Sequence, residues 1–573
     1  MIPRESPTDA PTRSSWLLPA LIVLAALVAH GLCLGSTFYL DDWTQIVDND
    51  SVDSGQWWGY RQRALTYLTY WLTFRGFGMS APAFHAGNLL LHAGVALTVY
   101  GFAREFLAAA AGVPPDRARR IGAWAGALFA VHPLCSEIPN YTRARDIALV
   151  SLFTVLTAWA ILRWRRRGGW RWLVAAMAAG LAATFSKEVG IVVAGGSAAL
   201  VWFGVGSANK QTTLTEGKRP FWPWAIGAVV LLSGLGLALR SGPVYSYLWP
   251  VGHTVVRSLS DPRSGWHLLT QARVFWQYAW RVVLPVRLCS DHLIPWTRSM
   301  ADGTAWLAAA ALCAVLALTA ALWFRRRTRP VALLLALTLL AILHRLGNIT
   351  GELMVEYRMY PAMAFLCLAL VWGLDDFLAR RAFRRVHPAI LLLLVTICAA
   401  LSILRTRDWR TPETLAANIT AQYPLQARAR QEVQEADLRA GRWSSVVAAQ
   451  DDIRHALDGQ EAFNKSQTVR RYDYILEALT RVSSEGNYAQ GLARTQDEWA
   501  AYDHLDRLSR AVQGNGLTET VYPAMIFYAR GMIHAAFGPE EAAVADLRRS
   551  QEFMPVFDLQ KRELRRIEAR QKP

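Results

Sequence analysis

The feature that most constrains this chain is a series of uninterrupted apolar runs through roughly its first 405 residues, several of them long enough to cross a lipid bilayer. A bilayer core about 30 Å thick takes ~20 apolar residues as a helix. Inside it every backbone N–H and C=O must find a partner within the protein, so a run of that kind is read as a helix. The runs fall at Trp16–Gly35, Ala86–Leu107, Ile121–Leu134, Ile147–Leu162, Trp172–Phe185, Val189–Val205, Phe221–Leu239, Thr304–Phe324, Pro330–Leu346, Pro361–Leu378 and Pro388–Leu404. From Arg405 to Pro573 the chain turns rich in Arg, Asp, Glu and Gln and has no such run. The expectation is an all-α polytopic membrane domain of about 11 spans over residues 1–404, followed by a helical extramembrane domain over residues 405–573. A cytosolic enzyme, a nucleic-acid binder and a disordered chain all fit poorly.

Lys and Arg number 61 against 44 Asp and Glu, a net charge of +17. Many of these cations sit in short clusters beside apolar runs: Arg117/Arg119/Arg120, Arg163/Arg165/Arg166/Arg167, Lys210/Lys218/Arg219, Arg325/Arg326/Arg327/Arg329 and Arg380/Arg381/Arg384/Arg385. With the spans above, all of them fall on one side of the membrane, and the positive-inside rule makes that side cytoplasmic. The N-terminus is then expected in the cytoplasm, its first run an uncleaved span rather than a signal peptide, and the C-terminal domain outside. The placement argues for topology and against nucleic acid as a partner. The six cysteines form no CxxC pair, so neither a metal framework nor a disulfide scaffold is expected. Cys135 and Cys289 both fall near the outer face, which leaves a single bridge between them open.

Some stretches resist counting. Gln271–Leu288 (QARVFWQYAWRVVLPVRL) is apolar but carries Arg273, Arg281 and Arg287, and Pro285 would break a helix there, so it reads as an interfacial or re-entrant helix on the outer side. The runs ending at Leu134 and Phe185 are short and pass at once into polar residues, His132 and Glu137 in one case, Ser186, Lys187 and Glu188 in the other. Backbone that leaves a helix at membrane depth must line protein or water, so a polar cleft is expected in the outer half.

The residues at that cleft carry the chemistry. The first outer loop opens Thr37-Phe38-Tyr39-Leu40-Asp41-Asp42-Trp43, and adjacent carboxylates raise each other's pKa values, which suits Asp41 or Asp42 as a general base; an acidic cap on the first span would look the same. Arg61–Arg75 alternates aromatic and basic residues and reads as an interfacial helix. His85, Asn88 and His92 share one helical face, where a buried hydrogen-bonded set is expected ahead of a metal site, and no metal ligands are assigned. The second loop holds His132, Glu137, Arg145 and Asp146, the third Lys187 and Glu188, and a later one Glu356, Tyr357 and Arg358. Taken singly, each reads as a helix cap or a structural ion pair. Together, Lys187, Arg145, Arg358 and Arg281 form a set of cations on the face that the charge rule should leave poor in them. Such a set suits an anionic lipid headgroup, with Arg gripping phosphate oxygens in pairs.

The motifs FYLDDWTQIVDN, FHAGNLLLH, ALFAVHPLCSE, FSKE, LTQARVFWQYAWRVVLPVRL and VEYRMYP, in that order over residues 37–361, resemble the transmembrane-and-tetratricopeptide O-mannosyltransferases and their bacterial relatives, which are GT-C glycosyltransferases. The chain departs from that pattern near Arg145 and at Glu356-Tyr357-Arg358, where relatives commonly show Glu-His-Arg. The resemblance implies transfer of one sugar, with inversion, from a polyprenyl-phosphate-linked donor to a hydroxyl at the outer membrane face. Asp42, or Asp41 beside it, would be the base. Lys187, Arg145, Arg358 and Arg281 would bind the donor phosphate, with His132, Glu137, Glu188, Asp146, Glu356 and Tyr357 in support. No cofactor beyond this donor substrate is implied with certainty, and a divalent cation is neither required nor excluded. The acceptor is expected to be Ser or Thr of an exported protein, with an envelope glycan as the alternative and a non-catalytic scaffold or transporter as the rival of another class. An Ala/Arg/Trp-rich composition suggests a bacterial inner membrane with the site facing the periplasm.

In the C-terminal region LRAGRWSSVVAAQDDIRHAL, SSEGNYAQGLARTQDEWA and HAAFGPEEAAVADLRRSQEFMP read as degenerate helical hairpins turning at Gly441, Gly486 and Gly538. Their spacing of about 45 and 52 residues exceeds the ~34 of regular tetratricopeptide repeats, so a tetratricopeptide-like solenoid is expected, either shielding the site or presenting an acceptor.

Overall fold

The computed structural model describes residues 16–59, 61–205, 264–297, 299, 301–343, 352–379, 386–465, 473–496, 498–512, 521–553 and 558–570. Their regular structure is all helical, with no β-strand among the described residues. Among the described residues six helical stretches are long and apolar enough to cross a membrane, Leu17–Gly35, Ala81–Ala110, Thr142–Arg167, Gly303–Phe324, Glu356–Ala379 and His387–Asp408, and the bent pair Pro115–Val131 and Pro133–Asn140 would make a seventh. Gly190–Gly204 and Arg329–Ile342 are apolar but shorter. The run expected at Phe221–Leu239 lies outside the described residues.

The helices that position the site are α1 (Leu17–His30), α2 (Ala64–Phe77), α3 (Ala81–Ala110), α4 (Pro115–Val131), α5 (Arg145–Arg167), α6 (Trp170–Ser186), α7 (Gly190–Gly204), α8 (Ser264–Val283), α9 (Gly303–Phe324), α10 (Arg329–Leu343), α11 (Tyr360–Ala379) and α12 (His387–Asp408). Proline marks several boundaries, as its fixed φ and missing N–H require. Pro82 and Pro115 stand in the first turns of α3 and α4. α4 stops at Val131, just before His132-Pro133, and the chain resumes as a short helical stretch bent 60° away, through Asn140. His132 secures the bend: its Nδ1 accepts the Leu134 N–H (3.2 Å) while its Nε2 donates to the Val282 carbonyl (3.1 Å). Likewise α8 ends at Val283, ahead of Pro285.

One buried apolar core runs through α1, α3, α4, α5, α7, α10 and α11 and continues past residue 404 to Trp409, Leu415, Ile419 and Ala429. Leu307, Leu318 and Phe324 of α9 point outward instead, as lipid-facing side chains do. The polar face of α3 works as a keystone. The Asn88 amide donates to the carbonyls of Ile138 and Tyr141, His85 reaches those of Pro139 and Thr37, and His92 meets the Tyr360 hydroxyl (2.8 Å) and the Ala130 carbonyl (3.0 Å). These three residues therefore hold the second loop and the end of α4 in place. Among the described residues no three His, Cys, Asp or Glu side chains gather closely enough to hold a metal ion. Cys135 and Cys289 are both free thiols, so the bridge left open by their loop positions is not made.

Beyond α12 come α13 (Pro412–Gln422), α14 (Ala427–Arg439), α15 (Trp443–Ala448), α16 (Gln450–Lys465), α17 (Asp473–Thr495), α18 (Glu498–Val512), α19 (Val521–Phe537), α20 (Glu540–Phe553) and α21 (Asp558–Arg570). Gly441 ends α14 in the left-handed region (φ 71°), and Gly538 joins α19 to α20, so both turns stand where the sequence puts them. Gly486 does not turn the chain. It lies inside α17, where a Cβ would sit 3.4 Å from the Ala529 methyl, so the residue serves a close helix–helix contact.

The turn Ser186–Gly190 between α6 and α7 is tighter still. A Cβ on Gly190 would fall 2.0 Å from the Ala183 carbonyl oxygen, which is backbone and cannot swing aside. Gly190→Ala should therefore displace the turn that carries Lys187 and lower stability by about 1–3 kcal/mol, read as an earlier thermal unfolding of the detergent-solubilised protein.

Candidate functional site

The site forms where the loop after α1, the bend after α4, the α6–α7 turn, the segment before α11 and the start of the C-terminal region meet. After α1 the chain runs through Ser36 in an extended conformation, and then Leu40 adopts φ 48°. This left-handed backbone costs a branched residue about 1–3 kcal/mol and persists only where the surroundings impose it. Here the Tyr39 hydroxyl donates to the Trp409 carbonyl and the Leu40 N–H donates to Glu432 Oε2 (3.2 Å). A single π-helical turn, Trp43–Val47, follows, closed by the Asp48 N–H on the Trp43 carbonyl (2.7 Å).

This geometry separates the two adjacent acids. Asp42 is fully buried: its Oδ2 accepts the Tyr39 N–H (3.1 Å) and its Oδ1 the Arg143 N–H (2.6 Å). Burial pushes its pKa up to about 7, and the nearby Asp41 charge adds to the rise against those two backbone donors. Asp41 points outward, its side chain 54% exposed, with Arg428 Nη2 3.5 Å away.

Arg143 joins Asp42 to a second cluster. Its backbone holds Asp42, and its guanidinium donates to Asp146 Oδ2 (2.6 Å) in the first turn of α5. The same buried carboxylate oxygen meets Lys187 Nζ at 2.8 Å, with Arg63 Nη1 at 3.9 Å. Arg63 also grips Glu188 with two bonds of 3.2 Å. Burial alone would raise the Glu188 pKa, but Arg63 holds the carboxyl below its usual range. Lys187, itself nearly buried, sits 5.9 Å from the Tyr357 ring centre, and the Tyr357 N–H donates to Glu137 Oε2 (2.8 Å). Arg358, next along, bonds Glu352 (3.2 Å). Despite burial, Arg428 and Arg358 draw Glu352 down to about 2.

Other residues singled out from the sequence stand behind this group. Arg145 is fully buried and turns into α2 and α3, donating to Asn88 Oδ1 (2.7 Å), the Thr69 carbonyl (3.2 Å), Thr73 Oγ1 (3.0 Å) and the Phe84 carbonyl (2.8 Å), with its guanidinium over the Tyr70 ring. Arg281 bonds the Gln277 carbonyl (3.2 Å) and stands 3.9 Å from Glu356. Glu356 accepts the Cys289 N–H (2.7 Å), lies 3.1 Å from His292 Nε2 and faces Arg405 at 3.7 Å, tying the segment before α11 to the stretch after α8. Glu137 and His132 brace the bend. The structure thus brings Asp41, Asp42, Asp146, Lys187, Glu188, Tyr357 and Arg358 around one region and places Arg145, Arg281, His132, Glu137 and Glu356 as its supports.

Sequence reasoning did not single out Arg143, Arg63 or Arg428. Arg143 stands in the second loop two residues before Arg145, and Arg63 in the stretch read as interfacial; no local signal marks Arg428.

No protein-family model matches the chain, and no solved structure matches it. Two curated proteins do: the human protein O-mannosyl-transferase TMTC4 is 24% identical over 457 residues, covering 70% of this chain and 61% of that protein, and its mouse counterpart is 24% identical over 463 residues, covering 71% and 62%. This chain therefore spans about three fifths of the length of the curated relatives it matches. The homology supports the resemblance carried by the motifs. The finer assignments of donor, mechanism and membrane rest on the residues.

The buried acid gives a stability signature. Because the folded protein keeps the Asp42 proton up to about pH 7 while an unfolded Asp releases it near about 4, the Asp42 contribution to stability is largest below about pH 4 and declines as pH rises through that window. Asp42→Asn should remove this part of the decline, so the melting temperature of the variant minus that of the parent should rise from pH 5 to pH 8. A constant difference across that range would show that Asp42 is ionised throughout.

Proposed function

We propose that this chain is a membrane glycosyltransferase that moves a single sugar from a polyprenyl-phosphate-linked donor to a Ser or Thr hydroxyl of an exported protein. The observation that carries the reading is the link from Asp42 through Arg143 to the Asp146–Lys187–Arg63 cluster: a carboxylate poised near neutrality, joined by one residue to a group of cations. The homology to proteins named as protein O-mannosyl-transferases supports both the reaction class and a protein acceptor.

In this mechanism Asp42 takes the proton of the acceptor hydroxyl as its oxygen attacks the anomeric carbon from the face opposite the leaving group. The new C–O bond forms with inversion while the bond from that carbon to the phosphate oxygen breaks, and the electron pair leaves with the lipid phosphate. A phosphate departs as a stable anion, so protonation of the leaving group is dispensable. The group's task is electrostatic. Lys187, Arg143 and Arg63 face two carboxylates, Asp146 and Glu188, which leaves positive charge in excess to meet a phosphate; Arg358 adds a fourth cation from the segment before α11. Asp146 keeps this group ordered before the donor arrives. The basic clusters beside the apolar runs support a site at the outer face, in a bacterial inner membrane the periplasmic one.

The exposure of Asp41 favours a variant of the scheme, in which Asp41 receives the proton and Asp42 fixes the loop. Two single substitutions separate the schemes. With a polyprenyl-phosphate sugar and a Ser/Thr peptide, Asp42→Asn should lower the transfer rate by about a hundredfold or more if Asp42 is the base, and the wild-type rate should rise as pH passes through about 7. Asp41→Asn should then cost far less. Lys187→Ala should raise the KM for the lipid donor by roughly tenfold while leaving the KM for peptide near its parent value. Undiminished transfer in both Asp variants would reject the base assignment, and an unchanged donor KM would reject the phosphate role of Lys187.

A further inference from the structure

The C-terminal region does more than cover the site. Arg428, in the first turn of α14, reaches three separate segments of the membrane part at once. Its Nη1 donates to Glu352 Oε1 (3.2 Å) and lies 4.0 Å from Asp291 Oδ2, while its Nη2 stands 3.5 Å from Asp41 Oδ1. Glu352 is the residue that also binds Arg358. One turn along the same helix, Glu432 accepts the N–H of Leu40, the strained residue immediately before the acidic pair. Farther along, Arg439 pairs with Asp48 (3.0 Å) and covers the Trp43 ring (4.1 Å). One face of α14 therefore holds the first loop by both its charged side chains and its backbone.

We propose that Arg428 is a positioning residue of the site: by bridging Asp41 to Glu352, it fixes the acidic loop and the Arg358 segment at the separation that one sugar phosphate requires. A guanidinium suits this task because its planar fork serves two carboxylates from fixed directions, whereas an ammonium is a point charge. The side chain is mostly enclosed, which strengthens each contact, and no other described cation is bonded to the Asp41 carboxylate. Misplacing a reacting group by about 1 Å can cost a hundredfold in rate, so the bridge acts on turnover through geometry, without touching the reacting atoms.

The proposal rests on the glycosyltransferase reading, and the experiment keeps the two apart. Full-length wild type, Arg428→Gln and Arg428→Lys are purified in the same detergent and assayed with polyprenyl-phosphate mannose and a Ser/Thr peptide. Hydrogen exchange is followed in parallel over residues 38–48, whose amides include Leu40, Asp42 and Asp48. Absence of transfer in the wild type would sink the functional reading itself. Given wild-type transfer, Arg428→Gln should lower kcat by at least about tenfold with the donor KM changed by less than about threefold, and should speed exchange in the loop. Arg428→Lys should recover part of the kcat and part of the protection, since it keeps the charge but not the fork. Unchanged kcat would overturn the proposal, whether or not exchange changes. A fall in kcat with unaltered exchange would overturn it too, as would a fall confined to the donor KM, which would make Arg428 a donor-binding group instead.

Discussion

The arrangement around the site depends on a carboxylate with no access to water. Asp146 stands in the first turn of α5, fully buried, where the helix N-terminus favours a negative charge. A buried anion must be paired, and the chain supplies Lys187 from the α6–α7 turn, Arg143 from the preceding loop and Arg63 from the segment before α2. Three remote stretches are thereby drawn to one point. Removing one partner of such a group strands the others, at a cost of about 3–5 kcal/mol. Because the Arg143 side chain is committed to Asp146, its backbone N–H is fixed where Asp42 needs a donor, so one buried charge also sets the acid above it.

Much of this was legible from local chemistry. Apolar run length located the helices, Pro285 located one helix end, and the polar residues after the short runs located the region in which side chains converge; the run read through Leu134 ends as a helix at Val131. The choice between Arg143 and Arg145 was not legible. Both stand in one loop, two residues apart, and the sense in which α5 begins decides which of them faces Asp146. Arg145 goes to Asn88 and the carbonyls at the α2–α3 junction, contacts that lie 57 to 76 residues away in sequence. The Arg428 bridge was out of reach for the same reason: its hydrogen-bond partner Glu352 is 76 residues distant and Asp41 lies near the other end of the sequence, and nothing in a charged helix of that composition says which of its arginines turns inward. Gly486 shows the converse error. Glycine signals a turn, but it serves equally where two helices must approach closely, and only the packing of α17 on α19 tells the two apart.

The end of the helices remote from the site shows the same pairing logic. Arg117 bonds Asp375 (2.8 Å) and Asp376 (2.6 Å), while Arg163 and Trp159 share Glu105. Cations of two basic clusters beside the apolar helices thus tie α4 to α11 and α5 to α3.

The last helix, α21, reaches back to the beginning of the chain: Arg562 bonds the Val47 carbonyl and Asp48, and Arg565 pairs with Asp50, across 514 or 515 residues of sequence. A ribosome delivers residues in order, so the loop bearing Asp41 and Asp42 emerges first and waits for its final clasp until α21 has been made. Chains not yet extended through α21 therefore carry the acidic pair but not the frame that holds it, and a change confined to α21 would act on the loop after α1.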